Sequence, residues 1–452
     1  MKSKQILLIL LILVALVAAW MVVLGSDKTA EEAALQSELV EKADAFVEKE
    51  LYVRALPLYS EALSYSTDQN DAIYDKVLDC YTRSGDDESY LSLAESRVAQ
   101  KKAGIDTCLR AAELLVGNND LEEAESLLID AFDYLEGDDA ERIREFYETF
   151  RYATSMRITD IDEIIITRDM SVLPARNGDR YFFVNADGNE IFKTTYDSVT
   201  RFNSAGLSVV NNGKFFAINS DGAKYSVDET GVEDVSALSD RYVIAKKDGK
   251  YGFYTIDFEP VAEGLKFDEI VIGGADNWVV RSGDKWSLLD ASGEDLTGAI
   301  FEDVALNSNG TLFTEMTVTK DGKSVISPAA FVKESGKWYL VDQSGAHIIE
   351  KGFSDAKAPE GDGYLAVANE NSKWGFVNPD GELVIDYQFD DAKSFSCGLA
   401  AVNTNGKWGY ISRRGELVID AKFGSASPFV KGIAIADLNG KAAILTLELY
   451  SE

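Results

Sequence analysis

Three rhythms of apolar and polar positions follow one another along the chain. Ile6–Leu24 is an unbroken run without a charged residue. From about residue 30 to 155, apolar residues recur every three or four positions, as in Ala55, Leu58, Tyr59, Ala62 and Leu63, which is the spacing of an amphipathic helix. From about Ile158 to Tyr450 the pattern shortens to alternating runs broken by Gly, Asn and Asp, which is the spacing of strands and hairpins.

The third rhythm is a repeat. A small residue, a basic residue and an aromatic recur at Gly178, Gly213, Gly249, Gly283, Gly336, Ser372, Gly406 and, weakly, Gly440. The anchors lie 34–36 residues apart except for one interval of 53, which holds a hairpin-like insertion near Thr314–Ser327. Each unit continues with a turn such as NPDG (Asn378–Gly381), where glycine supplies the positive φ of a tight hairpin. A short apolar run (Leu383–Ile385) follows, then an aromatic–acid pair (Phe389-Asp390) and a GLAAV-like strand (Gly398–Val402). Four short strands make one antiparallel meander, too small to bury its apolar face alone. Stacking copies radially solves that problem, so the pattern predicts a β-propeller of eight blades, with seven as the fallback and a linear β-solenoid as the competing arrangement.

The units KWGFVNPDGELVI (373–385) and KWGYISRRGELVI (407–419) resemble the WG-repeat family, with a weaker echo at Lys250-Tyr251-Gly252-Phe253. The glycine is missing at Phe215-Phe216, Trp286-Ser287, Trp338-Tyr339 and Ala442-Ala443. The resemblance covers roughly 158–450. It implies a propeller-like binding or scaffold module without a shared chemistry.

The helical rhythm divides into Ala33–Glu50 with Val53–Ser66, Asp71–Ser84 with Asp86–Lys102, Thr107–Gly117 with Leu121–Glu136, and a closing helix at Asp138–Thr154. Breaks fall at SGDD, GNND and EGDD. YVRALPLYSEAL (52–63) and NDLEEAESLLIDAF (119–132) resemble tetratricopeptide repeats, whose stacking implies a groove for peptide segments. A plain helical spacer is the other reading.

The first rhythm is long enough to cross a membrane, since ~20 apolar residues span the hydrocarbon core. Lys2 and Lys4 precede it and Asp27, Glu31 and Glu32 follow, which places the N-terminus inside by the positive-inside tendency. A cleaved signal peptide is the alternative.

Charge and composition narrow the chemistry. The chain has 44 Lys+Arg against 77 Asp+Glu, a net charge of −33, densest in acid over the helical part. Such a field repels nucleic acid and favours cationic partners or simple solubility. The three cysteines, Cys80, Cys108 and Cys397, do not make a disulfide framework. The single histidine, His347, is the one that a Ser/Cys–His–acid system would need, but no Gly-x-Ser-x-Gly elbow is present. A His-based metal site would need more imidazoles, and no phosphate-cradling Gly-x-x-x-x-Gly-Lys-[Ser/Thr] stretch occurs, so His347 reads as an ordinary strand residue. Asn185–Gly188 and Asn378–Gly381 look like half of a calcium loop but lack its distal acid, so they read as turns. Acids at the same place in every unit read as turn residues rather than a catalytic pair, and Trp286, Trp338, Trp374 and Trp408, with Gly375 and Gly409, read as structural repeat positions.

The sequence therefore predicts a multidomain α plus β chain. Residues 1–25 form a cytoplasmic tip and a single transmembrane anchor, 26–157 a TPR-like helical repeat domain, and 158–452 a WG-repeat all-β propeller. The expected protein is a non-enzymatic, single-pass bacterial envelope scaffold. It binds protein partners, touches the membrane through Ile6–Leu24, and carries no cofactor, metal or nucleic acid. Binding of a cell-wall glycan or small ligand at the propeller mouth is the alternative, and a carboxylate-dependent hydrolase the weaker one.

Overall fold

The computed structural model describes residues 30–65, 67–167, 170–226, 231–261, 266–274, 277–320 and 323–450. The chain divides into two compact units, Met1–Tyr152 and Ala153–Glu452.

The described part of the first unit is helical: α1 (30–47), α2 (Tyr52–Ala62), α3 (Asn70–Ser84), α4 (Asp87–Ala99), α5 (Ile105–Asn118), α6 (Leu121–Phe132) and α7 (Asp138–Phe150). The breaks carry the chemistry that helix ends need. Gly85 (φ 72°) and Asn119 (φ 69°) take the left-handed conformation that closes a helix, and the Asp86 carboxylate accepts the Ser89 N–H at 3.1 Å to cap α4. Buried faces repeat at helical spacing, as in Ala55, Tyr59 and Ala62 of α2 and Ala124, Leu127, Leu128 and Ala131 of α6. Arg97 stands in α4 where α2 and α6 have Ala62 and Ala131. It is 3% exposed, donates to Asp71 at 2.7 Å, and lies over the Tyr74 ring at 4.5 Å.

The membrane expectation is corrected here. The segment Ile6–Leu24 lies outside the described residues. Among the described residues no helix is long and apolar enough to cross a membrane. The helices α2–α7 run to 15 residues at most, about 22 Å at the α-helical rise, and each is apolar on one face only. A single transmembrane helix and a single-pass, membrane-anchored localisation are not supported.

In the second unit the described residues form eight antiparallel sheets. The first holds Glu163–Ile164, Leu173–Asn177 and Arg180–Val184. The second holds Ser198–Val199, Leu207–Asn211 and Phe215–Asn219. The third, Asp234–Leu238, Val243–Lys247 and Lys250–Tyr254, and the fourth, Glu269–Ile272, Asn277–Ser282 and Lys285–Asp290, follow the same plan. The fifth contains Asp303–Val304, Thr314–Lys320, Lys323–Glu334 and Lys337–Val341, so the long interval between anchors becomes an extended hairpin. The sixth is Asp355–Ala356, Leu365–Ala368, Trp374–Val377 and Leu383–Phe389, and the seventh is Asp391–Ala392, Leu399–Thr404, Lys407–Ser412 and Leu417–Phe423. The eighth pairs strands from both ends of the unit: Thr154–Ile158 runs antiparallel to Lys441–Leu447, which pairs with Ile433–Leu438.

This topology corrects the closed eight-bladed propeller, its seven-bladed fallback and the fold class built on them. The sheets are separate and open, with three or four strands, and none is closed. Strand ladders do not run from sheet to sheet; the fourth and fifth touch through a parallel bridge, Ile272 with Thr311, and neighbouring sheets share side-chain cores. Trp374 and Phe376 of the sixth share a core with Phe395, Ala400 and Val402 at the seventh. Ile164, Leu173 and Phe182 of the first share one with Ala442 and Ile444 of the eighth.

Candidate functional site

The residues that recur from sheet to sheet are used internally. Trp286, Trp338, Trp374 and Trp408 are 5–9% exposed. Each faces the aromatic that opens the next segment, as the pairs Trp286–Phe301, Trp338–Phe353, Trp374–Phe389 and Trp408–Phe423. A β-carbon on Gly375 would lie 2.7 Å from the Ile385 carbonyl oxygen, and one on Gly409 2.6 Å from that of Ile419. These are the sheets with a regular outer strand, and the register shifts at these glycines. Where Phe216, Ser287 or Tyr339 replaces the glycine, the outer pairing shrinks to isolated bridges, and it does so too in the third sheet, which keeps Gly252.

The repeated acid and the repeated basic residue form one device. Asp390 accepts the Asn405 N–H at 2.8 Å and the Lys373 ammonium at 2.6 Å. Asp162 accepts the Gly178 N–H and the Lys441 ammonium, both at 2.8 Å. Asp268 does the same with Gly283 and Lys250, and Asp197 with Gly213 and Arg180. The lysine beside Asp390, Asp162 and Asp268 holds each carboxyl below the usual carboxylate range, with the backbone N–H reinforcing it. Each cation comes from one sheet, and each acid caps a turn of the next.

Three other sequence candidates are also placed. Asn185 and Asn378 spend their side-chain oxygens on the N–H groups of Asp187 and Asn189, and of Asp380 and Glu382, and no metal-holding cluster occurs among the described residues. His347 stacks on Tyr339, 4.3 Å between ring centres, with Nε2 3.2 Å from Glu334. The cysteines are unpaired thiols; Cys80 and Cys108 are fully buried, and burial pushes both thiols up.

The unrepeated chemistry gathers elsewhere. Just after the two-residue first strands of the second, fifth, sixth and seventh sheets stand Arg201, Ser308, Glu360 and Lys393. Arg201 Nε donates to the Ile166 carbonyl at 3.2 Å, and Nη2 to the Ser308 carbonyl at 3.3 Å. Ser308 in turn donates its N–H at 2.8 Å and its hydroxyl at 2.7 Å to the two oxygens of Glu360. Glu360 and Lys393 attract each other. All four residues are partly exposed. Burial raises Glu360 to about 7 against the Ser308 hydrogen bonds, which hold it down. Burial lowers Lys393, with the Lys357 charge adding to the effect, and burial lowers Arg201. The Asn309 side-chain oxygen nearby is buried without a hydrogen-bond partner.

Sequence reasoning missed this cluster. Its one signal is a departure from the repeat: Tyr196-Asp197 to Phe202 matches Phe389-Asp390 to Phe395, and Arg201 stands where that unit has Ser394.

Comparison with known proteins gives the repeat its family. The model of the WG containing repeat matches residues 181–214, 374–408 and 408–441. These matches support a WG-repeat family; the tetratricopeptide resemblance of the helices is not confirmed. No curated protein matches the chain. One solved structure, described as "Crystal structure of the eukaryotic initiation factor", is similar over 61% of this chain and 69% of that one, at 9% identity and a TM-score of 0.30. A likeness that slight carries no argument.

Proposed function

We propose that this protein is a non-enzymatic binding scaffold whose helical and WG-repeat units engage protein partners. The observation that carries the reading is the division of labour among its residues. The repeated aromatics, glycines, acids and lysines are taken up by packing and turns, which leaves the unrepeated surface to differ from unit to unit. The net charge of −33 favours partners that present basic surface. The hydrolase alternative asks for two converging carboxyls, whereas Glu360 is held by Ser308 and neighbouring Asp362 by the Gly398 N–H.

Cross-linking mass spectrometry on the tagged full-length chain in its own cells tests the reading. Discrete partner proteins, cross-linked at reproducible positions and released by raised salt, are the expected result. Recovery of glycan alone, or of no partner across growth conditions, contradicts it.

A further inference from the structure

One anchor cation lacks its acid. The basic residue at the start of a hairpin's second strand pairs with the acid that follows the next aromatic, as in Lys250 with Asp268, Lys285 with Glu302 and Lys373 with Asp390. Where Ser354 takes the acid's place, Lys337 turns to Glu370 instead. Lys407 holds the same position in the seventh sheet, but Phe423 is followed by Gly424. The Asp437 carboxylate crowds that spot, since a β-carbon on Gly424 would collide with its Oδ1. Lys407 nevertheless forms no ion pair among the described residues.

Lys407 lines a cleft of about 510 Å³ between the sixth and seventh sheets. The apolar wall is Phe389 of the sixth with Ile411, Leu417 and Ala421 of the seventh. Leu417 is 50% exposed, a large apolar side chain left open at this surface. The strand register orients the cleft. Ile411 pairs with Leu417 and Trp408 with Phe423, so Lys407 stands near the Ala421 end and Leu417 at the other. Four residues of strand separate Leu417 from Ala421, about 13 Å at the strand rise. The cleft is therefore elongated, with its charge at one end and open apolar surface at the other. Lys407 is the one charged residue lining it.

We propose that this cleft binds a small amphiphilic carboxylate, a medium-chain fatty acid or an arylalkanoic acid, with its carboxylate on the Lys407 ammonium and its tail along Ala421, Ile411 and Leu417. The volume is that of a small-molecule site. A single lysine is a point charge that suits a singly charged head group, whereas a phosphate calls for an arginine fork or several donors. An exposed ion pair contributes little by itself, so burial of the tail supplies most of the affinity and Lys407 fixes its direction. In the units where the cation is spent on its acid, the same position offers no free charge. The inference is independent of the scaffold reading, since partner capture and ligand binding are measured separately.

Isothermal titration of the full-length protein with octanoate and with 3-phenylpropanoate tests the site, with acetate and 3-phenylpropanol as the head alone and the uncharged tail. Saturable binding of at least one of the two acids is expected, with acetate and the alcohol both weaker. Lys407→Gln should weaken the acid about fivefold, the scale of an exposed ion pair, and leave the alcohol unchanged. Ala421→Phe fills the cleft and should abolish binding while keeping the urea unfolding midpoint. If Ala421→Phe fails to fold, acetylation of Lys407 in the unaltered protein reads the same contact: the bound acid should slow it there and not at Lys373. No saturable binding of either acid, an alcohol that binds as tightly as its acid, full binding by Lys407→Gln, or acetylation of Lys407 that the acid leaves unchanged would overturn the proposal.

Discussion

At Gly375 and Gly409 the missing β-carbon leaves room for an outer strand to lie close against its neighbour. Gly409→Ala places a methyl 2.6 Å from the Ile419 carbonyl oxygen, which forces the seventh sheet to shift. The expected loss is about 1–3 kcal/mol in urea unfolding, in the range of overpacked interiors. Trp408→Ala removes a buried indole and should cost ~3–5 kcal/mol. A Trp408→Ala protein that unfolds at the same midpoint as the parent would show that the indole is not packing the core.

Glu360 gives a pH signature. Its carboxyl sits raised from 4.5 to about 7, so the folded chain holds a proton that the unfolded chain releases between those values. Stability therefore falls as pH rises through that window, by on the order of 3 kcal/mol. Below the window the cost is absent, and above it the cost is complete. Glu360→Gln should flatten the dependence of the urea midpoint between these two pH values. An unchanged slope would show that the carboxyl is not buried as described.

Among the elements, the helices were the most legible. Gly and Asn beside clustered acids mark their ends, and the 3.6-residue rhythm marks their faces. What the rhythm does not reveal is Arg97, because a buried arginine depends on the distant Asp71 and Tyr74. Arg97→Ala restores the small residue found at Ala62 and Ala131 but leaves a gap, and should cost ~1–2 kcal/mol. In the sheets, the aromatic and acid positions were legible as repeats. Their roles were not, since Asp390 serves a turn in its own sheet and a lysine in the one before. Asp390→Ala should speed hydrogen exchange at the Asn405 amide more than at Gly381, whose N–H bonds to the Asn378 carbonyl.

On the scale of the whole chain, the sequence carried the count of units but not their assembly. Eight anchors became eight sheets among the described residues, because each meander follows from local turns. Closure into a propeller and passage through a membrane did not follow, as both depend on how separate elements are arranged. The Arg201–Ser308–Glu360 chain of hydrogen bonds was illegible for the same reason: its members come from three sheets, and only the departure of Arg201 from its repeat hints at it.

The account rests on sheets too small to stand alone holding one another, with the strand at one end of the unit completing the sheet at the other. Thr154–Ile158 pairs in full register with Lys441–Leu447, and their sheet shares its core with the first. Native-state hydrogen exchange of the full-length protein reads this directly. The amides of Thr154–Ile158 and Lys441–Leu447 should become exchangeable together, with the same opening free energy and the same denaturant dependence. Rapid exchange at Thr154–Ile158 while Lys441–Leu447 stays protected would contradict it.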